Sequence, residues 1–201
     1  MPLEVKLGEN PVEVDVQGWT AVAQNTVVKS AEFNLVGRMT AILQIQAALD
    51  TATAHTGTRF VVQVAGSETG NEDWVNLTEY VALIGTANSE AVTNNPLAVG
   101  GTTITCASTT GYTTLSQRVF IEDATLANSE IVIQNAVTAD TSIGLLDGVT
   151  RAHANTAILY NVCSLQNISI PLETLRLRVM VDNTYDADGS TLSYKATLIT
   201  A

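Results

Sequence analysis

The segment Met39-Thr40-Ala41-Ile42-Leu43-Gln44-Ile45-Gln46-Ala47-Ala48-Leu49 alternates with a period of two. Met39, Ala41, Leu43, Ile45, Ala47 and Leu49 point one way, and Thr40, Ile42, Gln44, Gln46 and Ala48 the other. That is a strand with one face in a core and a mostly polar face opposite. The same period returns in Leu175, Leu177, Val179 and Val181 against Arg176, Arg178 and Met180. It recurs in Leu192, Tyr194, Ala196 and Leu198 against Thr191, Ser193, Lys195 and Thr197. No stretch carries a convincing helical period, so strands are expected nearly throughout. The last two runs are expected to form a closing hairpin across Asp182–Ser190, which is rich in turn-tolerant residues. An earlier pair, Arg59–Ala65 and Trp74–Leu77, flanks the polar turn Gly66–Asp73, and Trp74 is expected to plug the core.

Between about Asn94-Asn95-Pro96 and Cys163 the strands are shorter and the turns richer in small residues. Five strands are expected there: 102–107, 118–122, 130–136, 142–146 and 157–162. The flanks must then complete each other, since the C-terminal runs alone could not bury their Leu and Val face. The expected fold is all-β, an antiparallel, jelly-roll-like β-sandwich interrupted by a small inserted β-barrel-like domain. Residues 1–95 with 164–201 would form the sandwich and 96–163 the insert. The tetrapeptides Ala87–Glu90 and Ala127–Glu130 share a sequence, but their neighbours do not align and no repeat period follows.

A chain of 201 residues can bury roughly 70% of its unfolded surface without disulfide or metal staples. Hydrophobic residues make up 46% and charged residues 14%, which excludes a disordered chain and leaves a surface dominated by Thr, Ser, Asn and Gln. Such faces pack against other chains with few ions to desolvate, a composition suited to repeated assembly. The net charge of -11 repels a phosphate backbone or an anionic membrane, so neither is expected as a direct partner. Residues 1–16 lack the basic and apolar regions of a signal peptide, and no apolar run is long enough to span a bilayer. Synthesis and retention in a cytoplasm are therefore expected, with Cys106 and Cys163 as buried free thiols. Their places in the first and last strands of the middle segment leave a bridge between them geometrically open.

Chemistry-bearing patterns are sparse. His55 and His153, the two imidazoles, sit in small-residue stretches and are expected in exposed turns, with no nucleophile elbow around any Ser. Cys163 has neither a helix start nor a basic cluster to lower its pKa. Asp182, Asp186 and Asp188 with Gly189 offer hard oxygens in one loop, but not at EF-hand spacing and without a closing Glu. Glu68, Glu72 and Asp73 are expected at a solvated loop tip rather than in a glycosidase cleft. Gly100-Gly101 precedes a strand rather than a helix, unlike a phosphate-binding loop. Trp19 and Trp74 are expected in core or edge packing; a sugar-stacking platform would leave them poorly buried. No catalytic residue, metal ligand or cofactor is expected, and the chain reads as a non-enzyme.

The middle segment resembles small β-modules of tailed-phage virion proteins. The resemblance lies in Gly101-Thr102-Thr103-Ile104-Thr105, Arg118-Val119-Phe120-Ile121-Glu122-Asp123, Ser129-Glu130-Ile131-Val132 and the run Ser142–Ala154, about a third of the chain. The flanks, with Phe60-Val61-Val62-Gln63-Val64 and Asp73-Trp74-Val75-Asn76-Leu77, are similar to sandwiches of phage head-decoration, neck and tail proteins. This resemblance implies a structural protein of a virion. Its expected partners are further copies of itself and a major capsid protein or neck and tail proteins. No functional residue carries over from it.

Overall fold

The computed structural model describes residues 12–36, 41–70, 73–94, 96–112, 116–184 and 190–200. The first strands are β1 (Val12–Val22), β2 (Val27–Lys29), β3 (Phe33–Asn34), β4 (Ala41–Leu49), β5 (Ala54–His55), β6 (Thr58–Ala65), β7 (Val75–Ala82), β8 (Gly85–Thr86) and β9 (Ser89–Ala91). There follow β10 (Thr103–Thr105), β11 (Arg118–Glu122), β12 (Glu130–Thr138), β13 (Ser142–Leu145), β14 (Ile158–Tyr160), β15 (Cys163–Ile170), β16 (Arg176–Asp182) and β17 (Leu192–Thr200). Among the described residues the one helical element is a 3-10 turn, Leu126–Asn128.

The protein is all-β and antiparallel. One sheet has the order β1-β17-β4-β15, and the other β2-β16-β6-β7 with β3 paired to β16. Numbering the eight main sandwich strands along the chain, these orders are 1-8-3-6 and 2-7-4-5, the double Greek key of a jelly roll. In β4 the inward set follows the alternation: Leu43, Ile45, Ala47 and Leu49 are at most 1% exposed, opposite Leu198, Ala196, Tyr194 and Leu192 of β17. From the facing sheet, Leu177, Val179 and Val181 of β16 and Phe60, Val62 and Val64 of β6 complete the core. Met39 and Thr40 lie outside the described residues. The hairpin expected of the last two strands does not form, because β16 and β17 belong to different sheets and the chain crosses the sandwich between them. Period two fixes which face of a strand is buried but not which sheet receives it. The β6–β7 hairpin is present, with a bulge between Val62 and Gln63.

The middle of the chain forms a six-stranded sheet, β10-β13-β12-β11-β14-β9. Its two edges approach each other. Val92 and Cys106 bridge, Thr93 N donates to Thr105 O (2.8 Å), and Thr105 N donates to Asn94 Oδ1 (2.6 Å), so the sheet curls into a small barrel. Its interior holds Ile104, Tyr112, Val119, Ile121, Ile143, Leu145 and Leu159. Ser89–Ala91, ahead of the boundary expected at 96, pairs with β14, and Cys163, ahead of the resumption expected at 164, pairs with Ala48. At one end of the barrel Gly148 approaches Gly100 so closely that a Cβ on Gly148 would meet the Gly100 carbonyl oxygen at 2.5 Å. Gly100 itself has φ +80, so glycine is required on both sides of this contact.

The barrel is docked on the sandwich. Phe120 and Tyr160, on its outer face, belong to the sandwich core, and Trp19 of β1 meets Phe120 with ring centroids 4.7 Å apart. Ala48 and Ser193, on the face of the four-stranded sheet turned away from the sandwich interior, are 0% exposed. Where chain enters and leaves the barrel, Asn88 N donates to Asn161 Oδ1 (2.8 Å) and Asn161 Nδ2 donates to Gly111 O (2.8 Å). Tyr112 closes the same junction by donating its hydroxyl toward Asn88 O (2.8 Å) and Leu159 O (2.9 Å).

Candidate functional site

His153 is the centre of the most developed polar cluster. It is wholly buried, contrary to the exposed turn expected for it, because its backbone bridges Leu97 and fixes the ring inside the barrel wall. Its Nε2 lies 2.8 Å from Glu130 Oε1 and its Nδ1 3.5 Å from Asp123 Oδ2. Glu130 also accepts the N–H of Thr150 (3.1 and 3.0 Å to its two oxygens), the Thr150 hydroxyl (2.6 Å) and the N–H of Arg151 (3.2 Å). Burial pushes the Glu130 carboxyl up, but hydrogen bonds from His153, Thr150 and Arg151 outweigh it and hold the group below its ordinary value. Asp123 is likewise engaged, accepting the N–H of Thr125 (2.9 Å). Of these three residues only Asp123 lines a pocket of about 240 Å³, which it shares with Glu122, Ala124, Leu126, Thr156 and Ile158. The arrangement is a clasp that fastens the 147–157 loop to β12.

His55 is also buried, again against expectation, at the end of the sandwich where several loops converge. Its Nε2 lies 2.8 Å from Thr58 Oγ1, which donates to Asn183 Oδ1 (2.9 Å). Asn183 Nδ2 in turn donates to Ala23 O (3.2 Å) and Ser190 O (3.1 Å), so one buried chain of hydrogen bonds joins three connections. Asp182 is spent locally, accepting the N–H (3.1 Å) and hydroxyl (2.7 Å) of Thr184. Asp186, Asp188 and Gly189, the rest of the oxygen-rich loop, lie outside the described residues, as does Glu72. Among the described residues no group of three His, Cys, Asp or Glu could hold a metal ion.

Asp73 pairs with Arg176 (3.0 Å) and accepts the Ser67 hydroxyl, which is the main reason its carboxyl lies below its ordinary value. Trp74 does not plug the core. It is half-buried on the outer side of the second sheet, with the Arg178 guanidinium 4.1 Å and that of Arg176 4.8 Å from its ring centroid. Two arginines at alternate positions of β16 share the outer face, and that pair captures the ring. Trp19 packs against Phe120 beside the other sheet, so the two indoles form no common platform. Cys106 and Cys163 are free thiols, and burial pushes that of Cys163 up to about 12. Cys163 pairs with Ala48 in the four-stranded sheet and is not among the residues that engage His153.

The open part of the outer four-stranded face is mostly amide, with Gln46 Nε2 donating to Gln44 Oε1 (2.9 Å) and Gln44 Nε2 to Asn167 Oδ1 (3.2 Å), beside exposed Ile42 and one ion pair, Lys195 Nζ to Asp15 Oδ1 (3.2 Å). Several large apolar side chains are exposed. Val81 and Ile84 both approach Gly57 beside the edge strand β7, and Ile133 adjoins Leu146 on the barrel, where Leu146 N donates to Ile133 O (2.8 Å). No helix of the described residues is long and apolar enough to cross a membrane. The buried residues Tyr112, Gln134 and Asn183 and the half-buried Asn161 escaped the reading of the sequence, which shows them as ordinary turn or strand residues.

The chain is a jelly-roll sandwich bearing an inserted small barrel. No family model matches it and no curated relative is found. Among solved structures it is similar to that of infectious bursal disease virus, Gt strain, at 8% identity and TM-score 0.25, covering 100% of this chain and 46% of that one. It is similar also to VP17, a capsid protein of bacteriophage P23-77, at 11% identity and TM-score 0.20, covering 98% and 99%. The structure of the VP16-VP17 complex, of two major capsid proteins of that phage, gives 11% identity and TM-score 0.21, covering 96% and 99%. These weak structural neighbours are viral capsid proteins.

Proposed function

We propose that this chain is a non-enzymatic structural protein of a tailed-phage particle, acting as a capsid decoration or cement protein. The observation that carries the reading is the jelly-roll order 1-8-3-6 and 2-7-4-5 with a barrel set between its fifth and sixth strands. Jelly rolls serve as capsid and lectin domains, and this one pairs a weakly charged outer face with exposed apolar residues at Val81, Ile84, Ile133 and Leu146. Its work would be adhesion: interfaces of roughly 1,200–2,000 Å² with neighbouring copies and with a major capsid protein raise the free energy needed to separate subunits. A neck or tail component is the same mechanism at another place in the particle. A glycan-binding module on a host-contacting surface is the competing reading, and the occupied ring faces of Trp19 and Trp74 weigh against it.

Light scattering after size exclusion, over a range of concentrations, tests the proposal. A discrete oligomer that Val81→Lys with Ile84→Lys converts to monomer is expected. A strict monomer at every concentration, with binding on a glycan array, would replace the assembly role by the lectin one.

A further inference from the structure

The two sheets of the sandwich end in the edge strands β1, β15, β2 and β7, and three of these carry devices that discourage a further strand from pairing. β1 holds Glu13 and Asp15 and is broken by register shifts after Asp15 and Gln17. β2 is 3 residues long and ends in Lys29. β7 holds Glu79 and has a bulge where Val62 and Gln63 meet Thr78 and Asn76. β15 has none of these. It contains no charged residue and no proline, and its 8 residues pair with β4 in unbroken register from Cys163 opposite Ala48 to Ile170 opposite Ala41. Among the described residues β4 is its one strand partner. A row of side-chain amides runs out to it across the outer face, Gln46 donating to Gln44 and Gln44 to Asn167, where the row stops at the edge.

We infer that β15 is a docking edge for β15 of a second copy, the two strands pairing antiparallel about a two-fold axis at Asn167. Charge favours that occupant. The chain carries a net charge of -11, and self-pairing at β1 or β7 would bring Glu13, Asp15 or Glu79 toward its own copy, whereas β15 meets itself with no ionised group in the ladder. The pleat restricts the register. Directly opposed residues share a face, so a slip by one residue would set Ile168, which lies opposite Leu43 on the inner face, against the amide face of the other copy. An axis at Asn167 overlaps Ser164–Ile170 in full, with Gln166 opposite Ile168 and Leu165 opposite Ser169, and continues the amide row into that of the second copy. An axis at Gln166 would draw the second strand onto Cys163, whose thiol reaches back to Tyr160 O of the barrel (3.6 Å), and one at Ile168 would leave only Gln166–Ile170 paired. The ladder is about 24 Å long. Alone it falls at the small end of specific interfaces, so it forms where copies are crowded. The inference rests on the assembly role proposed above and adds to it a contact separate from Val81 and Ile84.

Sedimentation of the full chain from micromolar to millimolar concentration, with amide exchange measured at both ends of the range, tests it. The species present in dilute solution is expected at least to double in mass, while exchange slows along Ser164–Ile170 and not along β7. Asn167→Lys and Asn167→Asp, which set like charges against each other at the axis, should each abolish the rise, and an equal mixture of the two should restore it. Constant mass with β15 exchanging freely throughout, a result that needs no variant to fold, would overturn the self-pairing and leave the edge to a strand of another protein. A rise in mass without protection of β15, a rise that persists in both variants, or a mixture that stays apart would overturn it too. The two readings fail separately. A dilute monomer that pairs through β15 when concentrated removes the Val81–Ile84 contact alone, and a dilute oligomer whose mass never rises removes the β15 contact alone.

Discussion

The sandwich and the barrel solve the same problem by different means. In the sandwich, β4 and β17 are 9 residues each and β16 is 7, and their inward faces are aliphatic with few polar insertions. In the barrel, β10 and β14 are 3 residues each, too short to enclose a core by area alone. The interior there is completed by Tyr112 and Gln134, with Gln134 Nε2 donating to Tyr112 O (2.8 Å), and the wall is fastened by the His153 clasp. Long alternating strands can rely on non-directional burial, whereas short strands between long turns need directional bonds at fixed points. One region is therefore vulnerable to lost volume and the other to lost partners.

Phe60→Ala should break the sandwich side of this contrast most sharply. Phe60 is wholly buried and stacked on Tyr80 at 5.2 Å, so truncation should lower unfolding free energy by about 3–5 kcal/mol, read from the denaturant midpoint. A loss under about 1 kcal/mol would mean the sheets close over the gap and that area does not dominate there. On the barrel side, His153→Leu keeps the volume apolar but leaves Glu130 and Asp123 facing each other without the ring between them. A loss of about 3 kcal/mol is expected, with amide exchange rising first in the 147–157 loop. Uniform exchange across the barrel would show that the clasp is not local.

Tyr112→Phe is smaller still because no volume is lost. It leaves the carbonyls of Asn88 and Leu159 without their shared donor, which should cost about 1–2 kcal/mol. The comparison sharpens if barrel amides near 88, 111 and 159 lose protection while those of β4 and β17 do not. Equal loss in both regions would make the two cores one cooperative unit.

Sequence alone reached the sandwich more easily than the barrel, and the physical reason is the same contrast. Alternation in 39–49 and 175–181 reports burial directly, and β4 and β16 follow it. Ser89-Glu90-Ala91 has no apolar alternation, so β9 was invisible until β14 supplied a partner. The separation of β16 from β17 was equally hidden, since strand choice depends on which edge is free rather than on face polarity. At the polar sites, His55 and His153 carry small neighbours that look like turn residues; what buries them are Thr58, Asn183, Glu130 and Asp123, brought near only by folding. Asn94-Asn95-Pro96 marks in the sequence only where the strands become shorter, whereas the role of Asn94, whose Oδ1 accepts from Thr105 N, is a contact across the barrel seam made only on folding.

The finest division lies between two glutamates on adjacent strands. Glu122 ends β11 and Glu130 begins β12, with Glu130 opposite Ile121, yet their carboxyls shift in opposite directions. Burial opposes ionisation in both. Glu130 receives donors from His153, Thr150 and Arg151, while Glu122 receives one from Tyr160 and feels the charge of Asp50. A carboxyl lowered on folding stabilises the fold above its unfolded value and loses that contribution as pH falls from 4.5 through the folded midpoint. Glu130 thus contributes to stability above 4.5 and loses that contribution in acid, and the direction is reversed for Glu122. Glu130→Gln should flatten the acid side of the stability curve while leaving its slope above 4.5 as in the parent. A steeper fall toward acid in that variant would place the acid-sensitive contact elsewhere in the barrel and deprive the clasp of its charge-based role.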